Sequence, residues 1–359
     1  MFLEFVYPLT KYFPPFNVFT YLTLRGAYAA LTTLLIAYIC GPRIIEALRK
    51  LKVGQAVRTD GPATHLVKTG TPTMGGVMII LSLLVSMLFW QDLHNVKVAL
   101  ALITLVAFGV IGFLDDYLKV THRDSAGLPA WAKLIGQFII AIGVVLFLYV
   151  NGGEEITYLY LPFFKNPVLD MGVLWIPFAI LLMVGESNAV NFSDGLDGLL
   201  AGLLILVFIA LSILCYLSGR SDYSSYLGIP YIPDAGELTV FCLAAMGACI
   251  GFLWFNAHPA EIFMGDVGSL SMGGVVAAVS LMIKKEILVL IIGGVFVLEI
   301  ASVVIQVVSF KLRKKRVFRM APIHHSFELG GLAETKVVIR FWILGGLFAI
   351  IALSTLKIQ

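Results

Sequence analysis

The sequence predicts an all-α polytopic membrane protein of about ten transmembrane helices, with its active site built from cytoplasmic loops. Three observations lead there. Of 359 residues, 59% are hydrophobic and 13% charged, with a mean hydropathy of +0.95. A water-soluble domain carries about 25% charged residues. The apolar residues also fall in continuous runs, close to the roughly 20 residues a helix needs to cross a bilayer. Finally, these runs do not alternate between apolar and polar positions, which argues against a membrane β-barrel.

The elements follow in order. The opening MFLEFVYPLTKYFPPFNVF holds Glu4 and Lys11 but no basic start and no small-residue cleavage site, so it reads as a retained interfacial segment. The first span is expected over 18–40, ahead of a basic loop. The second, 73–90, follows TPTMGG. The third, 98–114, runs into the adjacent acids Asp115 and Asp116. The fourth, 132–150, stops at Asn151-Gly152-Gly153, and the segment 151–167 has the character of a short hairpin. The fifth, 173–190, ends at NFSDGLDG, and the sixth covers 198–217. The seventh, 237–255, leads into FNAHPAEIFMGDVGS. The eighth, 269–283, stops at Lys284-Lys285. The ninth, 287–310, ends in KLRKKRVFR, and the tenth covers 339–357. No repeat or low-complexity segment divides the chain, so one integral-membrane domain over 1–359 is expected.

Loop charge gives the orientation. Arg43, Arg49, Lys50, Lys52, Arg58 and Lys68 follow span one. Lys119 and Arg123 follow span three, with Lys133 just inside span four. Lys311, Arg313, Lys314, Lys315, Arg316 and Arg319 follow span nine. The opposite loops carry only isolated basic residues and the Lys284-Lys285 pair. By the positive-inside rule, odd-numbered spans exit into the cytoplasm and both termini lie outside. The basic runs read as anchors on anionic membrane lipid, and no nucleic-acid partner is expected. The four cysteines lie in or beside apolar runs without a CxxC pair and read as small buried hydrophobes.

The polar segments then fall on one face of the membrane. Asp115 and Asp116 close an apolar run, where the partial negative charge of a helix C-terminus is unfavourable to acids. Ionisable groups placed against such a cost mark a functional site by default. NFSDGLDG spaces Asn191, Asp194 and Asp197 three apart, one face if the segment is helical. Its glycines permit close backbone approach to a ligand. FMGDVGSL supplies one more acid, Asp266, with Asn256 and His258 in the same loop. Asp115, Asp116 and Asp266 together would suit a hard cation such as Mg²⁺, which prefers oxygen ligands. His324 and His325 sit beside a basic run that suits either lipid anchoring or a phosphate grip. Within the spans, Glu186, Glu299 and Gln306 stand out, with Glu299 and Gln306 on one helical face directed to the bundle interior.

TPTMGG, GFLDDYLK, NAVNFSDGLDGL, GFLWFNAHPAEIFMGDVGSLS and RMAPIHH…FELGG, in this order, closely resemble the polyprenyl-phosphate N-acetylhexosamine-1-phosphate transferase superfamily. The resemblance is to its phospho-N-acetylmuramoyl-pentapeptide transferase branch and covers nearly the whole chain. That branch usually shows three consecutive histidines, and here the third position is Ser326. The resemblance implies transfer of phospho-MurNAc-pentapeptide from UDP-MurNAc-pentapeptide to undecaprenyl phosphate, with Mg²⁺, in the bacterial inner membrane. Products are lipid I and UMP. It implies Asp115, Asp116 and Asp266 as catalytic and metal-linked acids, with His324 in the catalytic set. Lys68, Thr73, Asn191, Asp194, Gly195, Leu196, Asp197, Asn256, Phe263 and His325 match substrate-binding positions, with Phe263 placed to stack on uracil. Homodimers are expected from the same resemblance. Two other readings compete: a sister enzyme using UDP-GlcNAc, and a transporter whose carboxylates carry protons or cations. APIHHSFELGG argues against the first. The clustering of acids at one face, with no paired charges near a span centre, argues against the second.

Overall fold

The computed structural model describes Pro8, Lys11, Tyr12 and residues 14–51, 70–122 and 127–357. Among them, nine helices are long and apolar enough to cross a membrane, and the shorter apolar helix Gly76–Trp90 stands at the remaining expected span. The helices are α1 (Leu22–Lys50), α2 (Gly76–Trp90), α3 (Val96–His122), α4 (Ala130–Asn151), α5 (Trp175–Phe192), α6 (Leu199–Ser218) and the short α7 (Ser221–Leu227). They continue with α8 (Glu237–Asn256), α9 (Gly265–Met282), α10 (Glu286–Ile292), α11 (Gly294–Arg313), α12 (Ile323–Glu328) and α13 (Glu334–Ser354). The expected ninth span is two helices, α10 and α11, broken at Gly293.

The helix α9 is the axis of the bundle. Every residue from Val267 to Met282 is buried, and its sequence GDVGSLSMGGVVAAVSLM is mostly small. Small residues let helix backbones approach closely, which drives association where lipid offers no hydrophobic force. A Cβ on Gly76 would overlap the backbone of Gly268, and one on Gly112 would overlap the backbone of Asp266. The starts of α2 and α9 and the end of α3 are therefore held in backbone contact. The helix α11 has the opposite character, exposing Leu298, Val304, Ile305, Val307 and Val308 along its length.

At the end of the bundle away from the carboxylates, Tyr158–Leu159 (β1) and Leu169–Asp170 (β2) pair antiparallel, the hairpin expected over 151–167 displaced slightly toward the C-terminus. Lys284 ties it down. Its Nζ donates to the Ile156 carbonyl at 2.6 Å and pairs with Glu286 at 2.6 Å.

Three expectations change here. The acids Asp115 and Asp116 do not close the third span; α3 continues to His122 because DDYLKVTH keeps a helical polar face once it leaves the apolar run. The helix α9 starts at Gly265 rather than 269, so Asp266 lies in its first turn, where an acid is favoured. Asn191, Asp194 and Asp197 do not share a helix: α5 ends at Phe192 and Gly198 takes a left-handed φ of +78° before α6.

Candidate active site

Asp115 and Asp116, from α3, meet Asp266, from α9, at one end of the bundle. One oxygen from each of the three lies within 4.8 Å of the others. Asp115 and Asp116 are 3% and 2% exposed. Backbone groups fix both: the N–H of Leu128 donates to Asp115 Oδ1 at 2.7 Å and that of Val267 to Asp116 Oδ2 at 3.3 Å. Asn191 Nδ2 donates to Asp266 Oδ1 at 2.7 Å and to Ser269 Oγ at 2.7 Å.

Two lysines complete the cluster. Lys119 Nζ lies 2.6 Å from Asp115 Oδ2, 3.4 Å from Asp116 Oδ1 and 3.0 Å from Asp266 Oδ2. Lys133 Nζ lies 2.6 Å from Asp266 Oδ2 and 3.7 Å from Asp115 Oδ2. Three buried carboxylates are affordable in one place because two ammonium groups sit among them. Neither lysine was singled out by the sequence beyond its contribution to loop charge. Lys119 stands at i+4 from Asp115, a pairing distance. Lys133 stands in the first turn of α4, where a cation opposes the helix dipole; both signals were present.

Thr73 and Asp194 stand beside the cluster, with Phe263 in the adjoining loop. Thr73 is buried, and a Cβ at Gly265 (φ +70°) would crowd both Thr73 Oγ1 and Asp116 Oδ2. TPTMGG pairs with the α8–α9 loop: Phe263 N–H donates to the Pro72 carbonyl, and Gly75 N–H to the Phe263 carbonyl, both at 2.8 Å. Phe263 itself is partly exposed. Asp194 Oδ2 accepts from Gly265 N–H at 3.1 Å. Burial first, and the charge of Asp266 second, push its carboxyl up to about 7.

Asp197 belongs to a different cluster. Its Oδ2 lies 3.0 Å from His258 Nδ1, while its backbone N–H donates to Glu334 Oε1 at 2.9 Å. His258 and Glu334 thus hold the DGLDG turn against the α8–α9 loop and the start of α13. Asn256 works as a strut, accepting from Gly198 N–H at 3.0 Å and donating to the Ile262 carbonyl at 2.8 Å. Leu196 is buried in the same turn.

His324 is fully buried, with Nδ1 3.1 Å from Glu299 Oε1 and its ring against Gly195. It does not open onto the carboxylate cluster. His325 lies beside it, ring centroids 4.1 Å apart and the planes tilted by 60°, with Nδ1 2.8 Å from Glu328 Oε2. Glu299 is fully buried, as its position on the inner face of span nine implies, and Gln306 Oε1 accepts from the N–H groups of Val317 and Phe318 at 3.0 Å each. Lys68 lies outside the described residues.

The arrangement can hold an oxygen-loving divalent cation, and it offers two ammonium groups to phosphate oxygens. The sequence profile of glycosyl transferase family 4 matches residues 98–284, the stretch carrying all three acids and both lysines. The chain is 50% identical, over the full length of both chains, to the phospho-N-acetylmuramoyl-pentapeptide-transferase of Citrifermentans bemidjiense. It is 48% identical, again over both full lengths, to the proteins of that name from Thermodesulfovibrio yellowstonii and Brachyspira hyodysenteriae. On this identity, the chain belongs to the phospho-N-acetylmuramoyl-pentapeptide-transferase family.

Proposed function

We propose that this chain transfers phospho-MurNAc-pentapeptide from UDP-MurNAc-pentapeptide to undecaprenyl phosphate, releasing UMP and forming lipid I. The observation that carries the reading is the convergence of Asp115, Asp116, Asp266, Lys119 and Lys133 at one end of an apolar bundle. A soluble pyrophosphate and a phosphate on a lipid tail can meet only at the headgroup plane. Bringing two polyanions together there needs fixed positive charge, and two lysines already stand in the place.

Mg²⁺ belongs to the proposal. What supports it is the donor set: three carboxylates whose oxygens lie within 4.8 Å of one another, with no thiolate or imidazole among them, as a hard cation prefers. When bound, Mg²⁺ supplies charge stabilisation to phosphoryl oxygens. The chain's own residues do the rest. Asn191 and the Val267 N–H hold Asp266 and Asp116 in orientation. Lys119 and Lys133 exchange carboxylate oxygens for phosphate oxygens as substrate arrives. In this proposal Phe263, partly exposed, stacks on the uracil. A phosphate monoester has its second pKa near 6, so the acceptor phosphate is largely dianionic at pH 7, and Asp115 orients it as much as it deprotonates it.

The proposal includes placement in the bacterial inner membrane, carboxylates toward the cytoplasm, both termini outside, and a homodimer. The basic loops at the carboxylate end support the orientation. UMP release from UDP-MurNAc-pentapeptide, measured with and without undecaprenyl phosphate and Mg²⁺, tests the reaction. Equal release with UDP-GlcNAc would overturn the donor assignment. Substrate crossing sealed vesicles with no UMP formed would indicate a transporter.

A further inference from the structure

Outside this site, the outer surface of α13 carries an unexplained pair of charges. Lys336 and Arg340 stand one turn apart on one face, and among the described residues neither side chain has an ion-pair or hydrogen-bond partner. Arg340 is six residues into a membrane-crossing helix, about 9 Å from its start at 1.5 Å per residue. That depth is close to the boundary between headgroups and acyl chains. An unpaired guanidinium there is costly unless an anion meets it.

A groove of about 290 Å³ begins beside Arg340. Ile343 and Leu347, further down the same face of α13, form one wall, and Phe327 of α12 with Leu332 closes the other. Ile343, Leu347 and Phe327 are exposed. The order along the helix is therefore cation, cation, apolar channel. That is the order of a phospholipid seen from the side: phosphate at the surface, chain beneath. The carboxylate end of the bundle and the charged end of the groove coincide, because Glu334, at the start of α13, accepts the Asp197 N–H.

We propose that this groove binds one anionic phospholipid of the surrounding bilayer, its phosphate between Lys336 and Arg340 and one acyl chain along Ile343 and Leu347. Charge decides between occupants. A zwitterionic lipid brings no net charge to the pair. A second copy of the chain, docked across a two-fold axis, brings the same two cations to the same face. A soluble phosphate leaves the apolar channel uncovered. The site is separate from the carboxylate cluster, and the inference stands whether or not the proposed reaction is right.

Native mass spectrometry of the full chain in detergent tests it, using phosphatidylglycerol and phosphatidylcholine of identical chains. The wild type is expected to retain one phosphatidylglycerol beyond its phosphatidylcholine count. Arg340→Gln and Lys336→Gln should each weaken that retention about fivefold, the factor that about 1 kcal/mol per basic residue at a membrane surface implies. Leu347→Trp, which fills the channel and keeps both charges, should abolish it. Unchanged retention in the paired glutamine variant, or in Leu347→Trp, overturns the proposal. So does stoichiometric displacement of the phosphatidylglycerol by polyprenyl phosphate, which would make the groove an acceptor site. Efficient disulfide crosslinking of Ile343→Cys between copies in phosphatidylglycerol nanodiscs would give the face to a second copy and overturn it equally.

Discussion

Lys133 Nζ stands 2.6 Å from Asp266 Oδ2, joining the first turn of α4 to the first turn of α9. The carboxylate is the group a cation would take, and the ammonium is the group a phosphate would take. In this chain they occupy each other. A cation and a phosphate taking these groups would separate them, and removing the lysine should act on the two in opposite directions.

For Lys133→Met, the apparent KM for the nucleotide substrate should rise about tenfold or more, the range that loss of a hydrogen bond to a charged group implies. Over the same change, Mn²⁺ should bind the purified protein more tightly, because one competing positive charge has left the carboxylates. Equilibrium Mn²⁺ binding by electron paramagnetic resonance reads the second effect. Weakened Mn²⁺ binding would mean that Lys133 braces the acids in shape rather than competing for them.

Asn in place of Asp115, Asp116 or Asp266 should each lower turnover by about 10²-fold or more, since each 1.36 kcal/mol of barrier is tenfold. The three share lysines, so the losses should be strongly non-additive in double variants. Steady-state UMP release at saturating Mg²⁺ is the measurement. Near-normal turnover by Asp266→Asn would remove that residue from the mechanism.

The acids themselves were legible because each interrupts or borders an apolar run, where an ionisable group has a visible cost. The lysines were not, because a basic residue beside a membrane span already has an explanation in headgroup anchoring, which hides a second role. The spacing of Asn191, Asp194 and Asp197 imitates a helical face, yet the helix ends at Phe192 and Gly198 takes a left-handed φ, and only tertiary contacts reveal that Asp194 joins Gly265 while Asp197 joins His258. His324 and His325 are neighbours in sequence with one buried against Glu299 and the other paired to Glu328; no periodicity distinguishes them on a six-residue helix. The apolar helices were readable because hydropathy alone defines them, apart from ends such as DDYLKVTH, where the helix outlasts its apolar run, and the break at Gly293, which an uninterrupted apolar stretch conceals.

Gly112 sets the spacing of the carboxylate cluster, because its missing Cβ lets α3 touch the backbone of Asp266. Helix backbone cannot give way as a flexible side chain can, so Gly112→Ala should part α3 from α9. The expected cost is about 1–3 kcal/mol, typical of overpacking, together with a loss of turnover exceeding that of a stability-matched change elsewhere in α3. Thermal unfolding in detergent and UMP release, read beside a substitution of equal stability cost elsewhere in α3, separate the two effects; Gly143→Ala on α4, whose Cβ would meet nothing within 4 Å, controls for the glycine-to-alanine change itself. Equal activity in both variants would show that the spacing of α3 and α9 is not critical.

At the opposite end, burial pushes the Lys285 ammonium down to about 8, with Glu286 only partly opposing the shift. A lysine whose folded pKa lies below its unfolded value near 10.4 binds fewer protons folded than unfolded between pH 8 and 10.4. Stability from this group therefore rises with pH through that window, and below pH 8 its penalty is constant. Lys285→Met should raise Tm at pH 7, by up to about 3 kcal/mol of stability at 1.36 kcal/mol per pKa unit, with the advantage shrinking toward pH 10. A constant advantage at both pH values would assign the effect to packing rather than charge.

The order of bond changes can also be tested. One route has an aspartate attack the β-phosphate and form an aspartyl-phosphate that the lipid phosphate then resolves. The other has the lipid phosphate attack directly, in line. In the structure each carboxylate oxygen of Asp266 already accepts: Oδ1 from Asn191, Oδ2 from Lys119 and Lys133. Asp115 is held by Leu128 N–H and Lys119, and Asp116 by Val267 N–H and Lys119. Hydrogen bonds and ammonium charge on both oxygens withdraw the electron density an attacking carboxylate needs. A dianionic phosphate at pH 7 has no such handicap, and α3, α4, α5 and α9 already bring their polar side chains to one place. A single displacement therefore inverts configuration at an isotopically chiral β-phosphorus. Net retention, or exchange of labelled UMP into UDP-MurNAc-pentapeptide by lipid-free enzyme, requires the covalent route instead. Asp266→Asn should then abolish the exchange while leaving nucleotide binding within about tenfold, because the lysines remain to hold the pyrophosphate.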